Sequence, residues 1–117
     1  MSLDWSSGAL AVGLECYRTG KYFEAHEHWE SVWLKCEEPE KTFLQALIQM
    51  TAAFHHLDRK NLRGAASLLR GALRKLDAFP ASYGGIEVEA VRESIRAWLM
   101  ALDEAGGSRE LSIPRIR

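Results

Sequence analysis

The sequence predicts an all-α fold, a compact bundle of about five helices that forms a single domain over residues 1–117. Three observations support this prediction. Apolar residues recur at helical spacing, prolines and glycines stand between the helical patterns, and long runs that alternate apolar with polar residues are absent. The composition, 47% hydrophobic and 26% charged, is typical of a globular domain with one core.

Five helices fit the pattern, and most of the breaks between them are short. We expect them at residues 6–18, 22–36, 39–59, 62–78 and 87–104. The first ends before Gly20, Pro39 suits the first turn of the third, and Asn61 is expected to cap the fourth. The longest loop is expected at residues 79–85, and the fifth helix should stop at Gly106-Gly107.

The first four helices are predicted to form two antiparallel hairpins, because the connections at residues 19–21 and 60–61 are short. Residues 20–25 and 60–65 hold equivalent positions, with a small residue where the second helix of each hairpin meets the first. This arrangement resembles a tetratricopeptide hairpin. A solenoid needs at least three units with a period of about 34 residues, so we expect a compact bundle closed by helix 5.

Charge and hydropathy exclude several classes of protein. The net charge of −1 gives no general attraction to nucleic acid or to an anionic membrane. No apolar run approaches the roughly 20 residues of a membrane span, and residues 1–5 lack the pattern of a signal peptide, so a cytoplasmic location is expected. Cys16 and Cys36 are expected to be reduced thiols that lie far apart.

Helix 2 carries the group with the most chemistry. At about 100° per residue, His26, Glu27 and Glu30 fall on the same side as the apolar residues of this helix. Those apolar residues are Phe23, Trp29, Trp33 and Leu34. A buried carboxylate costs several kcal/mol unless it is paired, so the pattern predicts a buried cluster with partners on another helix.

Helix 3 is the expected source of those partners, either His55 or His56, with Gln45 and Gln49 in support. Histidine and glutamate side chains from antiparallel helices are ligands for Zn, Mn or Fe. Three interpretations stay open: a divalent-metal site, a closed hydrogen-bonded network that fixes the register of two helices, and a metal-free acid–base or ligand-binding pair. The spacing of His26-Glu27-x-x-Glu30 is not the zinc-protease motif, which excludes a metalloprotease.

Helix 4 carries a basic stripe of Arg63, Ser67, Arg70 and Arg74, which we expect to be a plain solvated face. Arg63, Arg70 and Arg74 also make it a second candidate surface for binding. Together with Trp5 near the N-terminus, this stripe is the expected contact surface if the domain is a non-enzymatic, tetratricopeptide-like interaction module. A small-molecule ligand, a protein partner and a second copy of the chain are the partner classes that the sequence allows. A metal-dependent hydrolase is a further hypothesis.

The chain resembles the family called domain of unknown function 309, over residues of about 10–78. The residues that carry the resemblance are Tyr22-Phe23-Glu24-Ala25-His26-Glu27-x-x-Glu30-x-x-Trp33, Phe43-Leu44-Gln45-Ala46-Leu47-Ile48-Gln49, Ala52-Ala53-Phe54-His55-His56 and Gly64-Ala65. The resemblance implies a small helical bundle without an established activity. It adds Glu24 to the candidate site and favours His55 over His56 as the partner of His26.

Overall fold

The computed structural model describes residues 3–105 and 113–116, and the all-α prediction is confirmed. The helices in the described part are α1 (Gly8–Arg18), α2 (Tyr22–Trp33), α3 (Glu40–Asp58), α4 (Leu62–Leu76) and α5 (Val88–Ala105). The predicted helix stop at Gly106-Gly107 lies outside the described residues. Within the described residues, each helix is too short or too polar to cross a membrane.

The two helical hairpins end their first helix with the same turn. In the first, the Lys21 N–H donates to the Cys16 carbonyl at 2.8 Å; in the second, the Asn61 N–H donates to the His56 carbonyl at 2.8 Å. This is the hydrogen bond of a Schellman motif, which needs one residue with positive φ. Gly20 (φ 81°) and Lys60 (φ 62°) supply it. The predicted equivalence of the two hairpins is therefore present in the backbone.

Consecutive helices pack against each other, and α3 lies between α2 and α4. Its sequence is apolar on several sides, and nine of its residues are buried. The predicted cap of α4 is confirmed, because the Asn61 Oδ1 accepts a hydrogen bond from the Gly64 N–H at 3.0 Å. Ala25 and Ala65, equivalent residues near the start of α2 and α4, are almost completely buried.

The loop expected at residues 79–85 contains a small hairpin instead. Strands β1 (Ser82–Tyr83) and β2 (Ile86–Glu87) are antiparallel, and the two-residue turn between them is Gly84-Gly85. Both glycines have positive φ (59° and 80°), as a tight hairpin turn requires. Strands of two residues have no alternating pattern to read, which is why the sequence did not indicate them.

Trp5 is part of the core, so its predicted role at an interaction surface is wrong. Its side chain is only 3% exposed, and its ring meets that of Trp29 edge to face with centroids 5.6 Å apart. The Nε1–H donates to the Gly84 carbonyl at 3.0 Å. The N-terminal segment thus holds the β-hairpin turn, a contact between residues far apart in the chain that no local pattern indicates.

Helix α4 ends at Leu76, before the predicted end at residue 78. Arg92 binds two backbone carbonyls at this end that have no partner within the helix. The buried Arg92 guanidinium donates to the carbonyls of Leu76 (2.6 Å) and Phe79 (2.9 Å). Its Nε–H donates to the Glu89 carboxylate at 2.8 Å, and this bond is the main reason that the pKa of Glu89 is lowered. A charged side chain of α5 thereby fixes the C-terminal end of α4.

Lys60→Gly is expected to stabilise the protein by about 1 kcal/mol, because a side chain at positive φ is strained and glycine is not. The free energy of unfolding, measured with urea, checks the change. Gly20→Ala is the matched control in the equivalent turn and should destabilise the protein by a similar amount. A destabilised Lys60→Gly variant would show that the Lys60 side chain makes a contact worth more than the strain.

Candidate ligand site between helices α2 and α3

The rotation of α2 is set by Trp29, which is completely buried against α1. The Trp29 Nε1–H donates to the Leu10 carbonyl at 3.2 Å, and the ring packs 5.9 Å from that of Tyr17. A Cβ atom on Gly13 would collide with the Trp29 ring, so a glycine is required at that point of α1. Tyr22 and Ala25 lie on the same buried face.

The prediction that Glu27 and Glu30 are buried is wrong, since both carboxylates face solvent, as does Glu24. Phe23 and Leu34 are also exposed, by 52% and 67%. The reason is geometric: residues 23 and 34 lie roughly 120–140° around the helix from residue 29, so they cannot share its face. Trp29 faces the core, so the side of α2 that carries Glu27 and Glu30 faces solvent. Phe23 and Leu34 lie at the two ends of this solvent face.

His26 lies at the boundary between these two faces, and its side chain is 30% exposed. Its Nε2 is 3.8 Å from the Glu30 Oε2, one helical turn away, and the Glu30 side chain is 53% exposed. The other ring nitrogen, Nδ1, is shielded from solvent and has no hydrogen-bond partner in the structure. His26 therefore has one nitrogen beside a carboxylate and one that is buried without a hydrogen-bond partner.

A pocket of about 160 Å³ opens between α2 and α3, and His26 and His55 both line it. The other lining residues are Tyr22, Phe23 and Ala52. The Phe23 ring is stacked near His26, with centroids 6.4 Å apart and planes at 18°, and lies 5.6 Å from the His55 ring. The sequence indicated the two histidines but not Phe23, Tyr22 or Ala52 as parts of a site.

The remaining polar candidates of α3 make other contacts or lie outside the pocket. The Gln49 Oε1 accepts a hydrogen bond from the Lys75 Nζ at 3.1 Å, which ties α3 to α4. His56 has its Nδ1 3.1 Å from the Asn61 Nδ2, at the turn into α4. Gln45 is half-buried two turns before Ala52. None of these three lines the pocket.

A metal site with three or more protein ligands is not present among the described residues. No three His, Cys, Asp or Glu side chains of residues 3–105 and 113–116 come together in a group that could hold an ion. Glu27 and Glu30, the glutamates expected to complete the set, face solvent because both point away from the buried Trp29 on α2. The two cysteines, also expected to lie apart, are free thiols.

Two acidic groups act on the pocket residues. Glu30 lies beside His26, and burial together with the negative charge of Asp58 raises the pKa of Tyr22. Helix α2 has three glutamates and no lysine or arginine along its whole length. Lys21 and Arg59 stand just outside the ends of α2 and α3, and Arg18 lines a neighbouring surface cleft together with Tyr22.

The basic stripe on α4 is exposed, but one of its members is engaged within the fold. Arg63 and Arg74 face solvent. Arg70 is paired with Asp103 of α5, with its guanidinium nitrogen 3.4 Å from a carboxylate oxygen, and both side chains are more than half exposed. Exposed pairs of this kind contribute little to stability. The stripe is a solvated face that α5 partly neutralises.

The similarity between the two hairpins, which are offset by 40 residues, could have predicted which face of α2 is buried. Adding 40 to residues 23, 27, 30 and 34 gives residues 63, 67, 70 and 74, the stripe of α4 that the sequence assigns to solvent. All eight of these residues are exposed. Likewise Ala25 and Trp29 correspond to Ala65 and Leu69, which are buried. The α4 pattern therefore predicts the α2 pattern once the hairpins are aligned.

Fold and site together define a small helical-hairpin domain with a ring-lined pocket between its second and third helices. The chain belongs to the family described as domain of unknown function (DUF309), whose model matches residues 10–68, half of the chain. The match contains most of α1, all of α2 and α3, and the first part of α4, and hence all five residues that line the pocket.

An uncharacterized protein of Aquifex aeolicus (strain VF5) is similar to this chain, with 31% identity over 100 residues. The similarity covers 84% of this chain but 28% of the relative. The chain therefore spans little more than a quarter of the length of the relative that it matches.

Glu30→Gln and Glu30→Ala are each expected to change the free energy of unfolding by less than about 0.5 kcal/mol, because the Glu30 side chain is half exposed. Chemical denaturation followed by circular dichroism measures both changes. Trp29→Ala is the control, since its completely buried ring should cost about 3–5 kcal/mol. If Glu30→Ala alone cost 3 kcal/mol, Glu30 would have to be buried in solution.

Proposed function

We propose that this domain is a non-enzymatic binding module whose site is the pocket between α2 and α3. The single observation that supports this most strongly is that His26 and His55, from different helices, line one pocket around the exposed ring of Phe23. An aromatic side chain that is half exposed and held between two imidazoles costs hydration free energy in the unbound protein. A ligand that covers it recovers that free energy.

The size of the pocket defines what it accepts. Cavities of about 150 Å³ take one benzene-sized group, whereas whole drug-sized ligands need roughly 300–1,000 Å³. At about 160 Å³, this pocket suits one ring or one branched group, either a small molecule or one side chain of a protein partner. Both occupants agree with an interaction module built from helical hairpins.

The comparison with the longer relative also supports a module. Most of this chain aligns with 28% of the Aquifex aeolicus protein, so a domain of this kind occurs there beside a larger stretch of polypeptide. Binding domains commonly work in this way, by holding a partner or ligand near another part of the same chain. We apply this to the present chain as part of the proposal only.

Phenol, a neutral ring of suitable size, is expected to bind in the pocket and to shift the imidazole NMR signals of His26 and His55. Ala52→Leu should weaken this binding by about tenfold or more, because the added carbons occupy the space between the helices. Ala97→Leu on the exposed face of α5 is the matched control and should bind phenol as the original protein does. Phenol binding that is equal in both variants would place the site elsewhere.

A divalent metal is the second candidate ligand, and the unpartnered Nδ1 of His26 favours it. His26 and His55 both line the pocket, and imidazole nitrogen is a ligand for Zn, Mn or Fe; if one nitrogen of each ring turned to the same ion, water or a ligand would complete the coordination. The hydrolase hypothesis gains no comparable support, because the described residues offer no set of three ligands.

Added Zn²⁺ is expected to raise the melting temperature if this second candidate is right, and His26→Ala and His55→Ala should each abolish the rise. The experiment needs protein purified without chelator or metal-affinity tag, and its metal content should be measured first. His28→Ala is the matched control, a histidine of α2 that does not line the pocket. A melting temperature unchanged by Zn²⁺, Mn²⁺ and Fe²⁺ would rule out the metal.

A further inference from the structure

We propose that the natural occupant of this pocket is an organic cation, an alkylammonium group, and this inference rests on the binding function proposed above. The first argument is the nature of the walls. Four of the five lining side chains carry rings, namely Tyr22, Phe23, His26 and His55. Aromatic rings attract ammonium groups through their negative faces, and quaternary ammonium ligands are bound in cages of such rings.

The second argument is the sign of the surrounding charge. Glu30 lies 3.8 Å from His26, and Asp58 is close enough to Tyr22 to raise its pKa. Glu30 belongs to α2 and Asp58 is the last residue of α3, the two helices between which the pocket opens. An anionic ligand would be repelled, and a neutral one would gain nothing from them. A cation is attracted by both.

The third argument is the supply of negative charge along α2. Glu24, Glu27 and Glu30 all face solvent on this helix, which has no lysine or arginine. Exposed carboxylates contribute little to folding, so the packing of the helix does not require them. Of the three, Glu30 lies beside the pocket residue His26, and the negative charge of the helix raises the local concentration of cations.

The fourth argument is fit. A trimethylammonium group has about the bulk of a small ring, so it matches the volume inferred above for one benzene-sized group. The end of a lysine side chain is smaller and brings an apolar stem that would pack on Phe23. A free quaternary amine and a lysine of a protein partner are two sources of the same ammonium chemistry.

Choline and 3,3-dimethyl-1-butanol separate charge from shape, because the alcohol has the same branched outline with carbon in place of the charged nitrogen. Choline is expected to bind at least about fivefold more tightly, as judged by titration of the His26 and His55 imidazole signals. Equal affinities would overturn the cation inference, while phenol binding would still support the pocket. If phenol, choline and the alcohol all fail to bind, the proposed function falls as well.

Two variants test the two sources of attraction. Phe23→Leu removes a ring and Glu30→Gln removes a charge, and each should weaken choline binding about threefold or more while the alcohol is little affected. Both residues are exposed, so the fold should survive both changes. Glu15→Gln is the matched control on the exposed side of α1 and should leave choline binding unchanged. Choline binding that survives both pocket variants would contradict the inference.

The source of the cation is decided by peptides. A short peptide with one lysine is compared with the same peptide carrying norleucine, which lacks the terminal nitrogen, and with one carrying trimethyl-lysine. Preference for either charged peptide over choline identifies a protein partner, and preference for choline identifies a free quaternary amine. If the norleucine peptide binds as tightly as both charged peptides, the inference is wrong.

Discussion

The insertion of Trp29 between α1 and α2 is the constraint on which the rest of the site depends. The ring is completely buried, donates to the Leu10 carbonyl, and leaves no room for a Cβ at Gly13. A helix has one rotational freedom about its axis, and this contact removes it. With Trp29 facing inward, His26 must lie at the edge of the core and Glu30 outside it. The chemistry of the pocket is therefore set by a packing contact that lies on another face of the same helix.

What could be predicted from the sequence was local in origin. The Asn61 cap, the turn at Gly20 and the number and order of the helices depend on residues within one or two turns, so their patterns can be read from one stretch of chain. The rotation of α2 was not legible in this way, because its aromatic residues are spread over two faces and either could turn inward. The choice depends on Gly13 in the preceding helix, so it cannot be read from the sequence of α2 alone.

The two hairpins have the same backbone arrangement but carry opposite charges on the solvent faces of α2 and α4. Their turns have matching hydrogen bonds, and the small residues near the start of α2 and α4 are buried alike. In the equivalent positions, Gly13 and Trp29 of the first hairpin become Ala53 and Leu69 in the second, so one hairpin combines the smallest residue with the largest. In the first pair one large side chain fills the space between the helices, whereas in the second pair two side chains of more similar size share it. The solvent faces are free to differ because they carry none of this packing.

That freedom explains why the candidate site forms beside α2 and not at the equivalent face of α4. On α4 the equivalent stripe is basic, and α5 packs beside it and supplies Asp103 to Arg70, so part of its charge is satisfied within the fold. On α2 the stripe is acidic and has Phe23 in it, and the neighbouring helix α3 supplies His55, a ring, instead of a compensating cation. Rings add surface for a ligand and leave the negative charge in place. A helix that keeps its charge beside uncovered aromatic surface is suited to bind a positively charged group.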